Sequence, residues 1–389
     1  MGRSRAEKRD RTGAVSMTKM TPLTKLESFG QSIWLDYIHR DLTRSGGLKR
    51  FVDAGWLRGV TSNPKIFDTA IAESKTYDED IDRMRNEGMP VEELYLKLVV
   101  QDVREAADVL RPVYDGTDGA DGFVSLEVSP HIARDADASV SETRRLWEIV
   151  DRPNLLVKIP GTPECVQAVR QCLTEGININ VTLLFGLEEY RAVAEAYLEA
   201  LEARAAAGEP LRRVTSVASF FLSRIDVLVD PMLEDIAGGS RHAETAAALT
   251  GEVAIASAKA AYLLYRNMFG EKRFARLRER GARVQRLLWA STSTKNPAYS
   301  DVKYVEPLIG PDTVNTMPLD TIAAYRDHGR PAARLEEDAE HAARQLDLLA
   351  TVGIHLEDVT RQLIGEGIQK FIEPYDDLMA RLAGKEAGV

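Results

Sequence analysis

Pro153-Asn154-Leu155-Leu156-Val157-Lys158-Ile159-Pro160-Gly161-Thr162 is the stretch on which the fold turns. Leu155, Leu156, Val157 and Ile159 make a short apolar run closed by Pro160-Gly161, the pattern of a strand buried on both faces in a parallel sheet. One lysine interrupts it. A buried ammonium loses hydration, which favours the neutral amine, and a neutral amine is a nucleophile toward a carbonyl. The carbinolamine and Schiff base that follow draw electrons from the neighbouring carbon and let a C–C bond break or form. For these ten residues alone the alternative is a strand-end lysine that snorkels to water.

Seven more short β-rich runs lie on either side, at residues 32–36, 57–61, 122–128, 177–182, 214–219, 285–291 and 313–318. Helical patterns fill most of the intervals, at 41–54, 74–113, 137–149, 163–173, 187–207, 220–233, 245–269 and 271–280, with two more at 335–350 and 356–382. Eight strands alternating with helices predict α/β structure, a single (β/α)8 barrel with additional helices over residues 26–385. A doubly wound open sheet is the rival, but it usually carries a glycine-rich fingerprint after its first strand, and none stands here. Gly116 and Gly119, in a loop read over 114–121, and Gly122 just after it precede a strand and open no helix, so they are read as turn residues and not as a phosphate loop. Whether the last helix covers the mouth or the base of the barrel is open at this level.

Composition narrows the class. The chain has 389 residues, 28% charged and 44% hydrophobic, with a formal net charge of −10, which argues against nucleic acid or an anionic membrane as the main partner. No stretch is long enough to span a bilayer. Residues 1–25 read as a disordered arm, basic near its start, with Met17 and Met20 as further candidate starts and nucleic-acid binding as the weaker alternative. Two cysteines, Cys165 and Cys172, fit reduced thiols and hence a cytoplasmic location. His39, His131, His242, His328, His341 and His355 are scattered, with no His-x₃-His or Glu-x-x-His pair, so no metal site is expected. No Walker loop or Gly-x-Ser-x-Gly elbow is present. The chemistry falls to side chains, with no cofactor.

In barrels of this kind the reactive groups stand at the C-terminal ends of several strands. There the sequence places Asp36, Thr61, Asn63, Glu127, Lys158, Asn180, Thr182, Ser219 and Ser291. Schiff-base chemistry needs an acid to expel water from the carbinolamine and a base for the aldol hydroxyl, and Asp36 and Glu127 supply two carboxylates for two jobs. Asn63 and Asn180 can hold hydroxyls without adding charge. Each residue has a plainer reading: Asp36 as a helix cap, Glu127 as a structural ion-pair partner of Lys158, Asn63 as a turn residue before Pro64. Arg224 and Lys295, near the later strands, would suit a phosphate; the alternative for Arg224 is pairing with Asp226 or Asp230.

Trp34-Leu35-Asp36, Gly59-Val60-Thr61-Ser62-Asn63-Pro64, Ser125-Leu126-Glu127-Val128, Leu156-Val157-Lys158-Ile159-Pro160, Asn180-Val181-Thr182-Leu183-Leu184-Phe185 and Ser219-Phe220-Phe221-Leu222-Ser223-Arg224 resemble, in content and order, the motifs of the transaldolase family. The likeness runs from about Leu26 to Leu382. It implies Lys158 as the Schiff-base lysine, Asp36 as acid/base for the aldol hydroxyl and Glu127 as a proton shuttle through water. It further implies Asn63 and Asn180 on the dihydroxyacetone hydroxyls, with Thr61, Thr182, Ser219 and Phe221 around them, and Arg224 and Ser291 on phosphate. The implied reaction moves a dihydroxyacetone unit between phosphorylated sugars in the non-oxidative pentose phosphate pathway. Homodimerisation is left open. Two departures stand out: Ser293 occupies a position where many relatives carry arginine, which passes the phosphate role to Lys295, and Ser62 replaces a common threonine. The shorter fructose 6-phosphate aldolases carry glutamine and tyrosine where this chain has Glu127 and Phe221, which favours transfer over release. An inactive sugar-phosphate-binding barrel is the reading from another class.

Overall fold

The eight β-rich runs all become strands, and every neighbouring pair is parallel. The computed structural model describes residues 21–239 and 241–384. Its strands are β1 (Gln31–Asp36), β2 (Gly59–Thr61), β3 (Phe123–Glu127), β4 (Leu155–Pro160), β5 (Ile179–Leu184), β6 (Ser216–Phe221), β7 (Arg286–Ala290) and β8 (Thr313–Met317). They follow one another in order round a closed barrel, with β8 paired back onto β1. That closure excludes the open sheet, since neither terminal strand is left as an edge. All of β4 is buried, as a strand between a filled interior and a helix layer must be.

Packing inside the barrel is tight enough to dictate residue size. Trp34 and Gly59 are register partners on β1 and β2. A β-carbon at residue 59 would lie 2.5 Å from Trp34 Cδ2, so glycine is what lets the indole fill the interior there. The N-terminal end is plugged by groups that satisfy one another. Trp34 Nε1 donates to Asp121 Oδ1 at 2.8 Å, Ser32 donates to the same carboxylate, and Arg286 Nη1 donates to Ser32 Oγ at 2.9 Å.

Several helices depart from the expected bounds, each for a local reason. The helix expected over 74–113 is two, Asp78–Asn86 and Val91–Gly116, because Gly88 turns at φ +71° and Pro90 cannot continue a helix. The second of these runs into the stretch read as a loop. The helix expected from residue 220 starts at Ser223, since Phe220 and Phe221 complete β6. Helix Leu319–His328, after β8, was not expected. Of the arm expected over residues 1–25, residues 1–20, with both further candidate starts, lie outside the described residues. Thr21 caps a short helix, Pro22–Lys25, that buries Leu23. Cys165 and Cys172 are free and buried. No single described helix is long and apolar enough to cross a membrane. The terminal helix, Leu356–Leu382, crosses the C-terminal end of the barrel, packing on Pro64–Glu73, on Ser223–Ala237 and on the end of β5.

Candidate active site

Strand register sets the floor of the site. Glu127 on β3 pairs with Lys158 on β4, which pairs in turn with Asn180 on β5. Lys158 is 5% exposed, so the snorkelling alternative fails. Its Nζ donates to Glu127 Oε2 at 3.0 Å and to the Ser62 carbonyl at 3.0 Å. Burial pushes the Glu127 carboxyl above the ordinary carboxylate range, with the Lys158 charge opposing. A carboxylate raised in this way is a receptive acceptor for the lysine proton. Glu127 Oε1 is buried without a hydrogen-bond partner.

Asp36 closes β1 in a different environment. Thr61 Oγ1 donates to Asp36 Oδ1 at 2.7 Å and stands 2.6 Å from Thr316 Oγ1 on β8. Burial raises the Asp36 carboxyl, while the Thr61 hydrogen bond and the charges of Lys158, Lys295 and Arg224 pull it back. Asp36 caps no helix; the next one, Arg40–Arg44, is capped by His39. Asn63 does cap one: its Oδ1 accepts from Ile66 N at 3.0 Å at the start of Pro64–Glu73, leaving the amide nitrogen to donate elsewhere.

The cations lie across the mouth. Arg224 is the second residue of helix Ser223–Ala237, at the positive end of its dipole, and its Nη1 is buried without a hydrogen-bond partner. It does not pair with the nearby aspartates: Asp226 accepts from Ala254 N and Tyr304 Oη, and Asp230 from Gly251 N and Tyr299 Oη. Lys295 Nζ donates to Ser293 Oγ at 2.7 Å. Burial lowers the Lys295 pKa, the Arg224 charge lowers it further, and Asp36 opposes. Ser291 holds φ +54°, a left-handed conformation costly for a residue with a side chain, and its Oγ is 2.9 Å from Ser223 Oγ. Two cations brought together with hydroxyls and a helix N-terminus make a place for a phosphate.

These groups share one cavity of about 380 Å³, lined by Asp36, Thr61, Asn63, Lys158, Thr182, Ser219, Phe221, Arg224, Ser291 and Lys295 among the residues expected. Glu127 and Asn180 are not in its wall. Glu127 sits behind the lysine. Asn180 is fully buried, its Nδ2 donating to Ser125 Oγ at 3.1 Å and its Oδ1 accepting from Ser219 Oγ at 2.7 Å. Lys65, Thr316 and Phe371 line the cavity and were not expected. Thr316 lay inside a run recognised as a strand, where its inward face could have been read from the alternation. Lys65 and Phe371 sit on helices and carried no such signal.

A closed parallel barrel that buries a lysine at β4, pairs it with a carboxylate, and sets a second carboxylate and two cations round the same cavity has the parts of a lysine-dependent aldol site. The profile of the transaldolase/fructose-6-phosphate aldolase family matches residues 33–382, and the chain belongs to that family. Among its relatives, a transaldolase of Thiobacillus denitrificans is 47% identical over 353 residues, covering 91% of this chain and 97% of the other. A transaldolase of Trichodesmium erythraeum is 47% identical over 369 residues, covering 93% and 97%. A protein named transaldolase 2 from Nostoc punctiforme is 46% identical over 373 residues, covering 93% and 97%.

Proposed function

We propose that this protein is a transaldolase, transferring a dihydroxyacetone unit from sedoheptulose 7-phosphate or fructose 6-phosphate to an aldose phosphate in the non-oxidative pentose phosphate pathway. The observation that carries the reading is Lys158: its amine is buried on Glu127 and borders the same cavity as Asp36, Arg224 and Lys295. Lys158 hands a proton to Glu127 and attacks the ketose carbonyl at C2. Glu127 returns the proton as the carbinolamine loses water. Glu127 Oε1 and Thr182 Oγ1, both buried without a hydrogen-bond partner, are the groups available to a water that relays it. Asp36 takes the proton of the C4 hydroxyl, the C3–C4 bond breaks, and the electron pair passes to the iminium to give an enamine. The short aldose phosphate leaves, an acceptor aldehyde enters, and Asp36 protonates the new alkoxide. Asn63, Thr61 and Ser219 hold dihydroxyacetone hydroxyls, Asn180 orients Ser219, Phe221 packs beside them, and Arg224, Lys295 and Ser291 hold the phosphate.

Turnover with fructose 6-phosphate and erythrose 4-phosphate tests this. Sedoheptulose 7-phosphate and glyceraldehyde 3-phosphate in equal amounts are expected. Free dihydroxyacetone in place of the seven-carbon sugar would make the protein a fructose 6-phosphate aldolase, and no product would leave a binding barrel. Both enzyme readings pass through the same Lys158 adduct, so the product ratio is the deciding readout.

A further inference from the structure

We propose that Phe371, on the helix that crosses the barrel mouth, keeps bulk water off the Lys158 adduct and so sets the partition between transfer and hydrolysis. The proposal deepens the transaldolase reading and rests on it. Phe371 is 5% exposed and lines the cavity. Its ring centroid lies 5.7 Å from Lys158 Nζ and 6.0 Å from Arg224 Cζ. Arg224 is also 5.5 Å from the ring of Phe221, so the guanidinium has two aromatic neighbours.

The chain is shaped to bring this ring there. Register between β5 and β6 shifts between Val181 and Leu184, and Leu183 takes φ +59°, rare for a residue with a side chain. A β-carbon at Gly367, four residues before Phe371 and on the same helix face, would lie 3.0 Å from Leu183 Cδ2 and 3.5 Å from Arg224 Nη1. The bulge and the glycine together let the helix sit close over β5 and the phosphate arginine, one turn from where Phe371 meets the lysine.

An aldol transferase has a step that a hydrolase lacks. After the first aldose phosphate leaves, the enamine must wait for an acceptor. If its nucleophilic carbon takes a proton from water, the iminium re-forms; a second water adds at C2, the C–N bond breaks, and free dihydroxyacetone and the lysine amine result. The second event retraces, with Glu127, the water loss that formed the imine, while the first needs water at the nucleophilic carbon on the open side of the adduct. A buried aromatic ring above the amine denies that side to solvent, as an apolar wall does generally in a closed site.

Phe371→Ala and the milder Phe371→Val test the idea on the full-length protein. With fructose 6-phosphate alone, where sustained turnover requires release of dihydroxyacetone, the rate of that release is measured by NMR. With erythrose 4-phosphate added, the ratio of dihydroxyacetone to sedoheptulose 7-phosphate is measured. The alanine variant is expected to raise that ratio about tenfold or more, and valine to raise it less in the same direction. A ratio unchanged in the folded variants, even with slower turnover, would reduce Phe371 to packing and overturn the proposal; if alanine does not fold, valine decides. A wild type that forms no borohydride-stable adduct at Lys158 would instead remove the transaldolase reading beneath it.

Discussion

At the scale of single residues, the two carboxylates have separable jobs because their surroundings differ. Glu127 touches the nucleophile, whereas Asp36 lies across the cavity on a threonine. Asp36→Asn is expected to form the imine with fructose 6-phosphate but to stall before C–C cleavage, so borohydride should trap the six-carbon adduct and turnover should fall about 10²–10⁴-fold. Glu127→Gln should instead slow formation of any adduct. A three-carbon adduct accumulating normally in Asp36→Asn would take the base role from Asp36. The charge of Lys295 gives a pH test. Lys295 helps hold the Asp36 carboxyl down against burial. Removing that charge raises the Asp36 pKa, so less of the basic form is present at a given acidic pH. The acid limb of kcat/KM, which reports the free enzyme, should therefore move to higher pH in Lys295→Met. A limb that stays or moves down would break the link.

At the scale of elements, the loop after β7 carries Lys295 and is tied to the helix that carries Arg224. Tyr299 Oη donates to Asp230 Oδ2 at 2.7 Å and Tyr304 Oη to Asp226 Oδ2 at 2.8 Å, while Lys303 donates to the Gly251 carbonyl. Tyr299→Phe removes one charged hydrogen bond, of order 1.5 kcal/mol, and should raise KM for phosphorylated substrates up to about tenfold with little change in kcat. A drop in kcat alone would place the loop in the chemistry instead. Asp226 is pushed up to about 6, mainly by burial. An acid raised in the folded state gives stability that is fully present below its unfolded value of 3.8 and is lost as pH rises through about 6. The whole effect is about 3 kcal/mol for a shift of about two units. Denaturation of wild type and Asp226→Asn across this window should show the wild type losing ground as pH rises; a gain would reverse the assignment. The strands were legible because doubly buried parallel strands read as unbroken apolar runs, as at Leu155–Pro160. The helix breaks at Gly46-Gly47 and at Gly88 to Pro90 were missed although paired glycines and a proline are break signals, because the flanking charged and apolar residues keep a helical pattern on both sides.

At the scale of the molecule, closure is what turns scattered strand-end residues into a site. Asp36, Lys158 and Ser219 were readable because each lies in the C-terminal half of a strand, and the barrel brings those halves together. Phe371 and Lys65 were not, because nothing local says which way a helix will cross the mouth. Asn180 was placed correctly on its strand but one step behind the cavity wall, a distinction set by its bonds to Ser125 and Ser219. Closure also depends on the Trp34–Gly59 contact. Gly59→Ala should cost about 1–3 kcal/mol, read as a lower denaturation midpoint, and an unchanged midpoint would show the interior can yield there. The central claim is that Lys158 is the nucleophile, and the most direct measurement is the mass of the protein after borohydride reduction in the presence of fructose 6-phosphate, with the modified peptide sequenced. One reduced dihydroxyacetone unit on Lys158, absent in Lys158→Arg, is the expected result. An unmodified Lys158, or a unit carried on another lysine, would contradict it.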